Sequence, residues 1–357
     1  MAQVEAKSKV TKDRLMQYTL VALVVLTAVS TLAYGLTPIL LALISVSIAV
    51  ALDYALSLVM KDKGPVNSWS AAVYGLIVSS SYSLANTTSF TFGPYLTARY
   101  IPELIPLTPP WAYAYVAAIS AVGMVLFKKL QGLLGRKYVN PAAAAKLLVI
   151  LPFAQTIFLA EAHHDSVPLN GPLGYSYIPG KSSVYSAFGA LVQACFGNVK
   201  TKAATVSTTP AELFKTLTLL KYHGWLGGAS SVAVIVVGVS LFLVARKYIK
   251  WRITLSYLLS VTAMSLVMSA IYGGDILLRL GFELFIGSSI FLAFFMATDP
   301  ATTPITYAGQ AIFGVGVGIL TVLIQVYMGF LGGSILALVI MNFTSPLLDQ
   351  IGLKTPK

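Results

Sequence analysis

The stretch FFMATDPATTPITYAGQAIFGVGVGILTVLIQVYMGF, Phe294 to Phe330, holds two apolar runs separated by a short polar hinge. Asp299, two prolines and a group of threonines close the first run, and the second begins near residue 307. That second run is about twenty residues long, the length an α-helix needs to cross the hydrocarbon core of a bilayer. A carboxylate between two such runs costs least at a membrane boundary, or where it faces a cavity or a partner.

The rest of the chain repeats this alternation. Of its 357 residues 57% are hydrophobic and only 10% are charged, with a mean hydropathy of +0.81. A soluble domain carries about 25% charged residues to hydrate its surface. The expected fold is therefore an all-α polytopic membrane protein. About ten candidate spans lie near 17–35, 38–60, 68–86, 110–128, 141–162, 225–245, 253–272, 278–298, 307–328 and 331–351. The third, ending in SSSYSLAN, is the most polar of them. No cleavable signal peptide is expected, because the first sixteen residues are polar and the first apolar run is long enough to span.

Charge suggests an orientation. KDK follows the second span, KKLQGLLGRK lies between the fourth and fifth, and RKYIKWR lies between the sixth and seventh. With Lys7, Lys9, Lys12 and Arg14 these basic segments share one side, which the positive-inside rule makes cytoplasmic. Both termini are then inside, at the cell (plasma) membrane. The same rule accounts for the net charge of +12, and no basic stripe interleaved with aromatics points to nucleic acid. The expected organisation is a cytoplasmic segment 1–16, a first transmembrane half 17–162, an extracytoplasmic loop 163–224, a second half 225–352 and a cytoplasmic tail 353–357. About five spans per half is an odd number, so the halves, if related, are inverted five-helix repeats. VNPAAA and TDPATT supply a faint similarity between them.

Several polar residues stand out against the apolar background. In GRKYVNPAAAAKLL, Asn140 suits a helix N-cap and Pro141 the first turn after it. In MATDPATTP, Asp299 either caps a turn or presents a carboxylate to a ligand at the boundary. Asn342, Thr344 and Pro346 in IMNFTSPLLDQIG are placed to interrupt the last span. Intramembrane acids cost about 2.5–3.5 kcal/mol each on insertion scales, which makes Asp53, Glu283 and Asp299 candidates for an ion path; pairing with a neighbouring polar helix face is the alternative. Glu161 and Asp275 lie at span ends. His163 and His164 precede Asp165, but adjacent side chains diverge on a helix, so no metal site is expected there. One cysteine, Cys195, excludes a disulfide framework and an iron–sulfur cluster held by this chain alone.

These elements together carry a resemblance. GRKYVNPAA, FFMATDPATTP with GQAIFGVGVGILTVLIQVYMGF, and LALVIMNFTSPLLDQIG occur in an order that resembles one family. It contains the NqrB subunit of sodium-translocating NADH:quinone oxidoreductase and the RnfD subunit of Rnf electron-transport complexes. The resemblance implies a membrane subunit that relays electrons and couples them to Na⁺ or H⁺ movement, with other subunits as partners. It also implies FMN esterified to a threonine by a flavin transferase, in a motif resembling D-x-x-(S/T)-G-A-T.

In NVKTKAATVSTTPAELFKTL that alignment selects Thr209, with Thr208 as the alternative one residue away. Ala203, Val206, Ser207 and Thr208 then stand where the family has Asp, Ser/Thr, Gly and Ala. Read without the family, the same residues form a Ser/Thr-rich loop leading into a capped helix at Pro210. A second, non-covalent flavin such as riboflavin is implied near the Asn-Pro element, with Asn140 as a contact. One cysteine and three histidines suit a flavin better than haem or iron–sulfur. The chain carries no G-x-G-x-x-G fingerprint after a strand, so it is read as one subunit rather than a complete enzyme. The rival reading is a flavin-free ten-helix channel or secondary transporter, with broken helices near Asn140 and Asp299 lining a solute site.

Overall fold

The computed structural model describes residues 2–60, 68–82, 110–133, 138–149, 218–219, 225–246, 248–272, 276–285, 289–327 and 333–351. The described residues are mostly helical and contain no strand. In chain order the helices are α1 (Ala2–Tyr34), α2 (Thr37–Val59), α3 (Ser68–Ser80), α4 (Trp111–Val122), α5 (141–149) and α6 (Ser231–Val244). They continue with α7 (Trp251–Tyr272), α8 (Ile276–Phe285), a short α9 (Ser289–Phe291), α10 (Tyr307–Tyr327) and α11 (Gly333–Gln350). Two π-helical stretches extend this frame, Gly123–Leu130 after α4 and Leu292–Met296 after α9.

Among the described residues five helices are long and apolar enough to cross a bilayer, over Asp13–Leu32, Thr37–Val59, Trp111–Leu130, Trp251–Ile271 and Tyr307–Gln325. The side chains are distributed as lipid demands. Val21, Leu43, Leu58, Val236, Leu259 and Phe343 face outward, each at least 59% exposed. Ser30, Ser45, Ser120, Ser265, Thr321 and Ser334 are at most 1% exposed. A soluble protein would reverse this arrangement; here lipid solvates the large apolar groups and small polar residues let helices approach. The bundle is that of a multi-pass membrane protein.

Several interior hydroxyls bond directly between helices. Ser45 Oγ on α2 donates to the Gly75 carbonyl on α3 at 2.7 Å and lies 2.7 Å from Ser120 Oγ on α4. Thr254 Oγ1 on α7 reaches the Ala293 carbonyl at 2.6 Å, and Ser260 Oγ reaches Val315 on α10 at 3.0 Å. Gly314 and Gly318 let α10 close onto α7: a Cβ on Gly314 would lie 2.5 Å from the Ile253 carbonyl oxygen.

Two spans are built differently from the pattern read in the sequence. The third expected span, 68–86, is a shorter helix: α3 ends at Ser80 and Ser81 already turns. Its thirteen residues reach about 20 Å, short of a ~30 Å hydrocarbon core. Leu226 N–H donates to the Tyr82 carbonyl at 2.9 Å, so the end of α3 meets the 3₁₀ turn Leu226–Gly228 that leads into α6. α6 is also short, fourteen residues, N-capped by Ser230 Oγ accepting from Ala233 N–H at 3.2 Å. The last span is the opposite case. α11 runs without a break from Gly333 to Gln350 through Pro346, so Asn342, Thr344 and Pro346 do not interrupt it. Membrane helices tolerate proline where neighbouring groups satisfy the freed backbone.

Candidate functional site

The three motifs met separately in the sequence converge on one hydrogen-bonded knot. Asn140 is the N-cap of α5, as its place before Pro141 predicts: its Oδ1 accepts from the N–H groups of Ala142 and Ala143 at 3.1 and 3.2 Å. Its Nδ2 donates to the Met296 carbonyl at 3.2 Å, tying α5 to the end of the Leu292–Met296 turn. The residue four further on is Pro300, which has no N–H to give this carbonyl; the carbonyl accepts instead from Asn140 and, at 3.3 Å, from Asp299 N–H.

The Asn140 N–H donates to Asn342 Oδ1 at 2.9 Å, and Asn342 Nδ2 donates to the Thr302 carbonyl at 3.2 Å. Ser345 Oγ joins the same carbonyl at 2.9 Å. Asn140 is 4% exposed and Asn342 fully buried, so each amide bridges two elements in the interior. Such a network is worth having only when every member is satisfied.

Asp299 folds the hinge. Its Oδ1 accepts from Ala301 N–H at 3.2 Å, its Oδ2 from Thr302 Oγ1 at 3.1 Å, and its carbonyl from Thr303 Oγ1 at 2.6 Å. This is a capped turn, and no helix opens at Pro300; the next one begins at Tyr307. Lys250 holds the turn from the α6–α7 connection, donating to the Pro300 and Thr303 carbonyls at 3.1 and 2.8 Å and to Thr303 Oγ1 at 2.9 Å. Asp349, at the end of α11, accepts from Ile305 N–H at 2.7 Å. Neither Lys250 nor Asp349 stood out in the sequence. Lys250 is one of several cations in RKYIKWR, and Asp349 lies in a terminal polar segment.

Beside the knot lies a cavity of about 120 Å³, open to one side, with Asn140, Thr298, Asp299, Phe294, Phe295 and Lys128 in its wall. That volume holds a few waters or a partly hydrated cation, whereas ligand pockets run about 300–1,000 Å³. The Asn140 side chain in this wall is engaged in the α5 cap and with the Met296 carbonyl.

The other two acids of the candidate ion path have different surroundings. Asp53 on α2, 5% exposed, forms an ion pair with Lys129 at 3.0 Å, and Lys129 also donates to Ser57 Oγ at 2.7 Å. Ser57 Oγ in turn donates to the Asp53 carbonyl at 2.6 Å. Glu283 on α8 is 2% exposed, within electrostatic reach of Tyr257 on α7. The structure thus gives Asp53, Glu283 and Asp299 three separate sets of partners. Thr208, Thr209, Glu161, His163, His164, Asp165 and Asp275 lie outside the described residues. Among the described residues no group of three His, Cys, Asp or Glu side chains could hold a metal ion.

The fold and the knot define a multi-pass membrane protein with a buried amide junction at one end and a polar cavity beside it. The sequence profile of the NQR2, RnfD, RnfE family matches residues 85–356, and the chain belongs to that family. It is 26% identical over 345 residues to the D subunit of the Na(+)-translocating ferredoxin:NAD(+) oxidoreductase complex of Acetobacterium woodii, covering 96% of this chain and 90% of that one. It is 30% identical to the D subunit of the proton-translocating ferredoxin:NAD(+) oxidoreductase complex of Clostridium ljungdahlii, over 68% of each chain. To the D subunit of the ion-translocating oxidoreductase complex of Stutzerimonas stutzeri it is 32% identical, over 70% of this chain and 72% of that one.

Proposed function

We propose that this chain is the membrane subunit of an ion-translocating electron-transport complex, acting with other subunits of an Rnf-type assembly. Family membership carries this reading, and relatives named as D subunits of ferredoxin:NAD(+) oxidoreductase complexes support it. One relative is named for Na⁺ and the other for protons, so the ion class is monovalent and its identity stays open between the two.

Within this reading, FMN esterified by a flavin transferase to Thr209, or to Thr208, supplies the reversible redox chemistry that no ordinary side chain provides. The loop carrying it is extracytoplasmic in this proposal, with both termini cytoplasmic at the plasma membrane. The chain's own residues hold the path. The Asn140–Asn342 junction locks α5, the hinge and α11 into one unit. Asp299 faces the small cavity at that unit, where it suits a hydrated Na⁺ or a proton-carrying water. Glu283 is the second candidate step, deep in the other half. Asp53, already neutralised by Lys129, serves best as a fixed structural charge. A second, non-covalent flavin with Asn140 as a contact belongs to the same proposal.

The test is in-gel flavin fluorescence. The full chain, matured with a flavin transferase, is denatured, and the experiment is repeated with Thr209→Val and Thr208→Val. Loss in one variant alone locates the ester. No fluorescence in the wild type overturns the covalent flavin. That outcome would favour a flavin-free transporter, a reading that the two short helices α3 and α6, joined through Tyr82 and Leu226, also suit.

A further inference from the structure

Three charged side chains are buried among the described residues: Asp53, Glu283 and Lys146. Asp53 has Lys129, but no carboxylate pairs with Lys146 among the described residues. Lys146 lies on α5, a turn and a half beyond Asn140, and is 7% exposed. A lysine costs several kcal/mol in such a place unless its surroundings replace water.

Those surroundings are specific. Lys146 Nζ donates to the Ser81 carbonyl, at the end of α3. Carbonyls at the end of a helix carry the negative end of its dipole; here those of Ile77, Val78, Ser79 and Tyr82 have other donors, and the Ser81 carbonyl takes the ammonium. Ser80, Ser81 and Tyr82 are at most 3% exposed, so water does not solvate this end of the helix. On another side the Trp225 ring presents its face to the ammonium, with Nζ 4.4 Å from the ring centroid, well within cation–π range.

The ring is fixed in turn. Trp225 is 4% exposed and meets Phe291 edge to face at 6.0 Å. Gly227 allows the turn to close on α3, since a Cβ there would lie 2.7 Å from Ser80 Cβ. A helix carbonyl end and an aromatic face, both desolvated and both electronegative, are what a small monovalent cation binds.

We propose that the carbonyl end of α3 and the face of Trp225 form a monovalent-cation site inside the bundle, occupied by the Lys146 ammonium as a tethered cation. The tether closes the site to Na⁺ and to free alkylammonium ions. It also sets a fixed positive charge where α3 and α6 meet, so a free cation passing that level requires Lys146 to withdraw. This site stands on its own geometry and does not depend on a flavin.

Chemical rescue of the full chain in detergent tests it. Lys146→Ala leaves room for a small ion, so ethylammonium or Na⁺, exchanged for choline at constant ionic strength, should raise its melting temperature saturably. The wild type should be indifferent, and adding Trp225→Leu to Lys146→Ala should abolish most of the effect. Two results would overturn the proposal: a Lys146→Ala response no larger than that of the wild type, or Lys146→Met as stable in choline as the wild type. Should neither variant fold, ¹³C-lysine labelling of the wild type decides. A ring-current-shifted Cε resonance in its charged form, restored to its usual position by Trp225→Leu, supports the site; a neutral amine at pH 7 excludes it.

Discussion

The backbone N–H of Asn140 donates to the side-chain oxygen of Asn342 at 2.9 Å, joining positions 202 residues apart in the chain. Asn342 then passes the connection to the Thr302 carbonyl through its other side-chain atom. One amide thereby couples the start of α5 to the hinge after Met296. Because both groups are buried, their loss is not repaired by solvent.

Asn342→Ala should therefore destabilise the chain by more than an average interior substitution. It strands the Asn140 donor and removes one donor from Thr302, at about 1–3 kcal/mol for each buried group left unsatisfied. Asn342→Asp keeps the acceptor but sets a carboxylate against the Thr302 carbonyl, and should be worse. Thermal unfolding of the purified full chain in detergent checks both; equal melting temperatures for wild type and Asn342→Asp would count against the knot.

The Asp53–Lys129 pair predicts a non-additive cycle. Lys129→Met alone leaves a buried carboxylate unpaired and should cost about 3–5 kcal/mol. Combining it with Asp53→Leu should recover most of that loss, since replacing a buried pair by apolar groups is often close to neutral. Denaturation midpoints of the four proteins measure the coupling, and simple additivity would show that the pair is screened.

Close approach of α7 and α10 depends on Gly314. A Leu there would drive its Cβ against the Ile253 carbonyl oxygen, only 2.5 Å away from where that atom must lie. Gly314→Leu should cost about 1–3 kcal/mol or more through overpacking, while Gly314→Ala should cost less. Expression level and melting temperature distinguish the two, and an unaffected Gly314→Leu protein would mean that the helices can separate freely.

Glu283 offers a test of the ion path apart from folding. Glu283→Gln keeps size and hydrogen-bonding capacity while removing the charge. If the proposed ion path holds, ion uptake into vesicles driven by electron transfer in the assembled complex should fall to background, with the melting temperature unchanged. Unaltered uptake would remove Glu283 from the path.

Composition alone established the membrane class, because a chain with 10% charged residues cannot hydrate a globular surface. Hydrophobic periodicity placed the long helices within a few residues, as at Tyr307–Tyr327 and Trp251–Tyr272. Local chemistry was equally legible: Asn140 before Pro141 reads as a cap and is one. These features depend on neighbours in the chain, and a sequence records its neighbours directly.

The rest depended on contacts that no local pattern encodes. Lys250 looks like an orientation charge until its ammonium is seen holding the Pro300–Thr303 turn. SSSYSLAN looks like a weakly apolar span, yet the helix ends at Ser80, where Ser79 and Ser81 donate to its own carbonyls. Pro346 suggested a break that packing against the hinge does not permit to form. Sequence thus determined that this is a family member with a bundle of membrane helices and three polar motifs. Only the tertiary structure decided that the motifs form one knot and that Lys146 lies over Trp225, because buried polar groups in lipid must find partners wherever the fold brings them.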